Sequence, residues 1–507
     1  MFYIRRLLIT LLVFVLIVFT LTFLPRALVP VPPSREKQEA DAAWINSSPH
    51  WLDRQACRWL GLCGLLHLKP DPPGKPKNTY HGYNGQELRR RLSNEAHTAE
   101  WELRGASNLQ RPKSIPGFVL ENAPLVHLYS KEYFWPTDIA DHLEHVIPYS
   151  DDNQLITING LTLANMGELN SNPGFLYLRS KDDVESRPKW LHSTSNIPVA
   201  FEKELDYRDG ASDAPHERNH MSEGTTWFDV DPEHPLRRVA DPRKVPVGRP
   251  LPRRSRISNP RDEFRVTSQS KQNEPDASGY SHAPVTLILV DKGSGVIDAF
   301  WFFFYAYNLG QTVLRTRYGN HVGDWEHAMI RFESGLPRAV FFSEHEGGQA
   351  YAWQALEKHG NATDAQRPII YSAVGSHAMF AMPGNHPYVL PFQMLKDVTD
   401  RGPLWDPAKN FRGYWYDGTT GDDSGSLEPA AENPDAPTSW FHYEGAWGDR
   451  VYDLGDQRQW RLFGQYHYQT GPQGPKFKNL GRRKMCQISR CKILYSIAEG
   501  RRRSWHS

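Results

Sequence analysis

The sequence predicts a mainly β protein: a β-sandwich-like domain with long loops and a charged insertion, preceded by a single N-terminal transmembrane helix. Three observations predict it. Apolar runs of strand length recur between about residues 285 and 375, separated by Gly, Pro and Asn turns. Glycine (38) and proline (39) are plentiful, which favours many turns over long helices. One long uncharged apolar stretch stands apart at the N-terminus.

That stretch, residues 7–24, reads LLITLLVFVLIVFTLTFL, with Thr10, Thr20 and Thr22 as its only polar residues. At a rise of about 1.5 Å per residue it comes close to the hydrocarbon thickness of a bilayer. A cleaved signal peptide has a shorter apolar core and a small-x-small cleavage site, so a signal-anchor is expected, behind a cytosolic tail of residues 1–6. Arg5 and Arg6 favour a cytosolic N-terminus, although Arg26, Arg35 and Lys37 weaken the asymmetry. The sequons at Asn46 and Asn361 suit a lumenal main domain. The four cysteines, Cys57, Cys63, Cys486 and Cys491, fit one or two disulfides in an oxidising compartment, with three connectivities open. Their spacings are too wide for a C-x-x-C zinc knuckle.

Residues 25–115 read as a stem with proline-rich spacers at 29–33 and 69–76. Residues 51–68 between them form a short amphipathic piece tied by Cys57 and Cys63. Order begins near Pro116, so residues 116–199 are the first part of the β domain, with strands near 124–129 and 174–178. Residues 200–280 are charged and poor in aliphatics, which predicts a disordered insertion. Residues 281–495 are the main part of the domain, and 496–507 a basic tail. Lys plus Arg (59) nearly equals Asp plus Glu (58), so nothing in the charge points to nucleic acid.

The continuous apolar runs 285–290 and 298–308 suit buried strands, followed by strands at 326–332, 339–342 and 369–373. Asn320-His321-Val322-Gly323-Asp324-Trp325-Glu326-His327 packs two His, an Asp and a Glu against one of them. By strand alternation Asp324 and Glu326 share a face with Ala328, Ile330 and Phe332, which otherwise reads as core. Two carboxylates at the rim of a core need a partner. A divalent cation such as Ca²⁺ or Mg²⁺ is one; an Arg partner, or exposure in a turn, is the alternative. His345, His377 and His386 follow at the ends of later strands beside Gly-rich turns, and join His321, His327, Asp324 and Glu326 as candidate ligands. There is no G-x-S-x-G elbow, P-loop or dinucleotide fingerprint.

Several of these segments together resemble one family. They are Asp298-Ala299-Phe300-Trp301, the 320–327 motif, Tyr371-Ser372-Ala373-Val374-Gly375-Ser376-His377-Ala378, Pro383-Gly384-Asn385-His386, and Asp397-Val398-Thr399-Asp400-Arg401-Gly402-Pro403. Gly445-Ala446-Trp447-Gly448-Asp449 and Gly471-Pro472-Gln473-Gly474-Pro475 complete the set. In order, they resemble the fungal family of vacuolar protein sorting-associated protein 62, strongly over 280–485. The motif also resembles, distantly, the Gly-His-Arg-His-Asp-Trp-Glu heptapeptide of the necrosis- and ethylene-inducing peptide-like proteins. Those are β-sandwiches that engage sphingolipid head groups through a divalent cation. His321, Asp324 and Glu326 match that motif, whereas Gly323 replaces its second His and Asn320 its Gly.

The resemblance implies a membrane-anchored accessory protein in protein targeting to the vacuole: a single-pass protein of the endomembrane system with a non-enzymatic lumenal binding domain. Its expected partners are the membrane, sphingolipid or glycan head groups, or vacuolar cargo. The alternative is metal-dependent binding or hydrolysis of a lipid or glycan head group through the 321–326 motif.

Overall fold

Runs that are apolar at successive rather than alternate positions demand cover on both sides of a sheet. Val285–Gly293 and Val296–Asn308 are such strands, and they pair antiparallel with Leu289 opposite Ala299. The turn between them, Ser294-Gly295, has φ of 53° and 75°. Two residues of positive φ make the type I′ turn whose twist matches a hairpin. The next hairpin joins His321–Glu333 to Leu336–Glu344 in the same way, with φ of 51° at Ser334 and 79° at Gly335. These strands belong to a computed structural model that describes residues 4–6, 9–16, 19, 34–70, 112–157, 160–201, 278–345, 347–359, 366–387, 395–418, 425–462, 464–487 and 492–503.

The central sheet runs in the order Ser426–Pro429, Phe411–Asp417, Val285–Gly293, Val296–Asn308, His321–Glu333, Leu336–Glu344, Gly347–Ala352 and Ile493–Leu494. It is open. The middle strands are antiparallel, while Phe411–Asp417 and Ile493–Leu494 join it in parallel. One face carries Leu287, Trp301, Phe303, Ile330 and Phe342. It packs against helix Gly117–Glu121 and a smaller sheet of Lys358–His359, Arg367–Ser372, Leu125–His127 and Leu404–Trp405, with Met379–Phe380 on Arg367–Ser372. The opposite face carries Phe300, Phe302, Phe304, Trp325 and Phe341. Helix Ile139–Glu144, strands Val146–Ser150 and Leu176–Ser180, and Trp440, Tyr443 and Trp447 cover it.

The mainly β architecture therefore matches expectation, but a two-layer sandwich is too simple. Both parities of the 285–308 strands are apolar, so the sheet is buried from two sides.

The stem needs a larger correction. Within 25–115, helices Arg35–Asn46 and Trp51–Leu60 form a module that docks on the far end of the chain. Ser34 caps the first helix, and the second stops at Gly61 in the left-handed conformation. The Cys57–Cys63 disulfide closes the module, and Leu62–Cys63 pairs with Arg461–Leu462. The Trp44 indole donates to the Tyr452 carbonyl at 2.8 Å, and the Arg461 guanidinium lies 4.4 Å over the Trp44 ring. Apolar side chains that find such partners are a core, not a spacer. Residues 25–33 and 71–111 lie outside the described residues, as does 202–277 of the predicted insertion.

Cys486 is disulfide-bonded and no described cysteine is free; Cys491 lies outside the described residues. Ile497–Arg503, in the predicted tail, is helical. Of the predicted span, residues 9–16 and 19 are helical, and the remainder lies outside the described residues. Among the described residues no helix is long and apolar enough to cross a membrane.

Candidate functional site

The His321–Glu333 strand brings its acids between the two sheets through an irregular start. Gly323 has φ of 69°, and a Cβ there would meet the Trp447 carbonyl oxygen at 2.5 Å. A side chain at this position is thus excluded twice, by backbone conformation and by the close approach of Trp447. From Asp324 onward the strand alternates. Asp324 and Glu326 lie on the face of Ala328, Ile330 and Phe332, and Trp325 and Met329 on the other.

Asp324 is buried and accepts from His377 Nδ1 at 2.9 Å. His377 has φ of 54° in the turn after Arg367–Ser372, and this aims its ring back into the domain. Its Nε2 lies 3.1 Å from the Phe134 carbonyl, and its ring stacks on Tyr305 with centroids 3.7 Å apart. Glu132 lies 3.9 Å from the same Nε2 and accepts backbone N–H groups of Tyr133, Phe134 and Gly375. His321 sits on the other side of Asp324. Its Nδ1 donates to the Gly323 carbonyl at 2.7 Å, and its Nε2 accepts from Asn308 at 2.8 Å. Burial lowers its pKa, with Asp324 opposing.

A second group adjoins the first. Ser343 donates to the buried Glu326 carboxylate and accepts from the His327 backbone N–H at 2.8 Å. Burial, reinforced by the neighbouring Asp324, pushes the Glu326 carboxyl up to about 8. Burial, with Asp397 adding, does the same to Glu344. The turn after Glu344 places His345 at φ of 51°, with its Nε2 2.7 Å from Asp397. Burial works against the His345 charge, but Asp397 outweighs it and raises the pKa to about 9. Burial likewise works against the Asp397 carboxylate, yet His345, Ser376 and His386 hold it below its ordinary value. Asp397 accepts from Ser376 Oγ at 2.6 Å and from Gln311 Nε2 at 3.0 Å. The dipeptide Ser376-His377 therefore ties the groups together, one residue on Asp397 and the next on Asp324. His386 stacks on Phe380 at 3.8 Å and meets Thr399 at 2.9 Å.

Six of the seven predicted residues, His321, Asp324, Glu326, His345, His377 and His386, thus line one belt, buried at Asp324, Glu326, His377 and His386, half-buried at His321 and open to solvent at His345. His327 does not join them. Its ring lies on the opposite face among Phe300, Phe302 and Phe341, and neither nitrogen has a hydrogen-bond partner. Strand parity excludes it, because 327 is odd where 324 and 326 are even. Burial drives its pKa well below the ordinary value, so it stays neutral. Among the described residues no three His, Cys, Asp or Glu are grouped so as to hold a metal ion. The carboxylates found different partners: imidazoles and serine hydroxyls. Asn46 is exposed at the end of its helix, and Asn361 lies outside the described residues.

Sequence reasoning did not assign Glu132, Tyr305, Ser343, Glu344 or Asp397 to this belt. Asp397 lies in one of the motifs that carry the family resemblance. For Glu132, no local pattern marks a carboxylate that serves backbone amides 243 positions away.

The model of the family described as vacuolar protein sorting-associated protein 62 matches residues 296–390. The chain is 32% identical over 409 residues to the putative vacuolar protein sorting-associated protein TDA6 of Saccharomyces cerevisiae, covering 75% of this chain and 70% of that one. The chain belongs to the vacuolar protein sorting-associated protein 62 family. Vacuolar protein sorting-associated protein 62 of the same yeast is 32% identical over 397 residues, covering 75% of this chain and 69% of the relative. The matched segment runs from Val296–Asn308 to beyond Gly384–Pro387, and so contains all six belt residues named above. Glu132 and Asp397, the acids that complete the belt, come from outside it. A solved structure of Necrosis and Ethylene inducing Protein 2, from the causal agent of cocoa's Witches Broom disease, is 20% identical, covers 20% of this chain and 45% of its own, and has a TM-score of 0.15.

Proposed function

We propose that this member of the vacuolar protein sorting-associated protein 62 family is a membrane-anchored accessory protein in protein targeting to the vacuole, with a lumenal domain that binds rather than catalyses. The observation that carries the reading is the 32% identity, over three quarters of the chain, to two yeast proteins whose names place them in vacuolar sorting. The apolar segment 7–24 supports the anchor, and the disulfide and the exposed Asn46 sequon support the lumen. Ser343 and Ser376 donate their protons to carboxylates, not to a histidine base, which supports binding over nucleophilic chemistry. The test is complementation. In yeast lacking both relatives, the full chain is expected to reduce secretion of a soluble vacuolar peptidase. A folded, membrane-associated chain that leaves secretion unchanged sinks the reading.

A second reading is that Asp324 and Glu326, with the neighbouring histidines, hold Ca²⁺ or Mg²⁺ and present it to a sphingolipid or glycan head group, for binding or hydrolysis. The Glu326 carboxyl at about 8, beside Asp324, favours it, because a divalent charge would relieve that repulsion. Calorimetric titration of the full chain with each ion decides. Saturable binding lost in Asp324→Asn is the expected signature, and no binding to the folded wild type removes the metal.

A further inference from the structure

The module of residues 35–66 has a face that nothing in the described structure covers. Its second helix, Trp51–Leu60, is amphipathic in an unusual sense. One side is fixed to the protein. Asp53 is buried and accepts from the Ser48 hydroxyl at 3.0 Å and the Gly64 N–H at 2.7 Å. Cys57, on the same side, is bonded to Cys63. The helix therefore cannot roll. At 100° per residue, Trp51, Gln55, Trp59 and Leu52 then fall within an arc of about 100° pointing outward. Trp51 is 62% exposed, Leu52 69% and Trp59 69%, and Leu66, just past the disulfide, is 62% exposed. Leu65 beside it is 44% exposed, and beyond Phe19 the other exposed large apolar side chains among the described residues are scattered singly, at Ile156, Phe175, Leu314, Leu336, Phe477 and Tyr495. Scattered apolar residues need no explanation, but a contiguous patch with two tryptophans does.

We infer that this face is seated in the head-group region of the bilayer that holds residues 7–24. The inference rests on the proposed anchor. The occupant follows from chain length. Only ten residues, 25–34, separate the apolar segment from Arg35, and four of them are proline. A fully extended chain of that length reaches about 35 Å at most. The module is therefore held within a few helix diameters of the bilayer edge, where even a weak apolar contact becomes intramolecular. Tryptophan is the side chain that prefers this depth, its ring in the apolar boundary and its N–H in the head groups. Arg58, exposed and two helical turns from Trp51 on the same side, and the exposed Lys69 add charge for lipid phosphates. The neighbouring segment 71–111 is polar and poor in aliphatics, and so a weaker claimant for the face. Seated in this way, the module works as a collar. It fixes the height and tilt of the β domain over the membrane, because Trp44 and Arg461 tie it to that domain.

The test uses the full chain reconstituted in phosphatidylcholine vesicles with one-fifth phosphatidylserine and a tracer of diazirine-tailed phosphatidylcholine. After irradiation, peptides covering 7–24 and 51–66 are read by mass spectrometry. Lipid adducts on both are expected. In the W51S/L52S/W59S variant, adducts on 51–66 should fall to background while those on 7–24 remain. The replaced side chains are exposed, and an intact Cys57–Cys63 disulfide and an unchanged unfolding midpoint verify that the variant folds. Adducts on 7–24 with none on wild-type 51–66 overturn the collar and leave the anchor standing. Adducts on 51–66 alone uphold the contact and overturn the anchor. Cross-links from 51–66 to residues 71–111 or to a second copy, in place of lipid, also overturn the collar.

Discussion

Asp298→Ala lowers the stability of the folded domain by about 3–5 kcal/mol, the cost of leaving buried charge without its partner. Asp298 is fully buried near the start of the Val296–Asn308 strand. Arg331, directly opposite on the neighbouring strand, grips it with Nε on one oxygen and Nη2 on the other, both at 2.7 Å. Such paired, parallel contacts are the strongest form of the interaction. Lys292 Nζ lies 3.9 Å from the same carboxylate. The buried Arg482 also feels it, and burial lowers that guanidinium to about 10 while Asp298 works to raise it. Three cations thus gather round one buried acid. Its removal leaves them facing each other beside the Phe300 and Phe341 rings, over which Arg482 lies at 4.9 and 4.8 Å. Chemical denaturation of wild type, Asp298→Ala and Asp298→Ala/Arg331→Met measures the effect. The double variant should recover a good part of the loss, since it removes the stranded charge as well. A single variant within about 1 kcal/mol of wild type contradicts this account.

The second large effect is on pH dependence, and its sign is opposite to that of an ordinary acid cluster. Folded Glu326 holds its proton up to about 8, where its ordinary value is 4.5. Between these values the folded state binds a proton that the unfolded chain has lost. The associated stability is whole in acid and drains away as pH rises toward 8. His127 and His142, lowered by burial to about 4, act in the other direction, chiefly below the ordinary histidine value of 6.5. At pH 6.5 the unfolded histidines are still half charged, and His321 and His327, likewise lowered by burial, add to this opposing effect; by about pH 7.5 all four are nearly neutral in both states and the carboxyls decide. Between pH 7 and 8 Glu326 alone removes on the order of 1 kcal/mol. Glu344, also raised to about 8, pulls the same way. So does His345, whose stabilising charge is complete below 6.5 and lost as pH passes about 9; its half-exposed ring keeps its share small. Unfolding midpoints at pH 7.0, 7.5 and 8.0 should therefore fall steadily, and Glu326→Gln should flatten the slope by somewhat less than one proton. A wild type whose stability rises across this window rules out a protonated Glu326.

Much of the scaffold was legible because it is local. Successive apolar residues at 285–290 and 298–308 announced strands buried on both faces, and alternation after Gly323 placed Asp324 and Glu326 beside Ala328 and Ile330. The same alternation, applied one residue further, would have excluded His327. What stayed hidden is long-range. Asp324 meets a histidine 53 positions away, and Glu326 a serine 17 positions away. The chemistry demanded that these acids have partners, but not that the partners be imidazole and hydroxyl in place of a metal. The amphipathic piece tied by Cys57 and Cys63 was legible, but its docking on the far end of the chain was not, for a related reason. Prolines on either side read as spacer, while the groups that receive Trp44 and Cys63 lie near residue 460.

Those distant pairings also set a schedule. Leu62–Cys63 finds its neighbour only at Arg461–Leu462, and Leu125–His127 is flanked by Arg367–Ser372 and Leu404–Trp405. A ribosome adds about 5–20 residues per second, so some 400 further residues take roughly 20–80 s. For that interval the first-made strands and Trp44 lack the partners they have in the finished fold. Completion of this fold therefore waits until the residues near 460 have been made, and until then the early third of the chain keeps apolar surface that the later strands will cover.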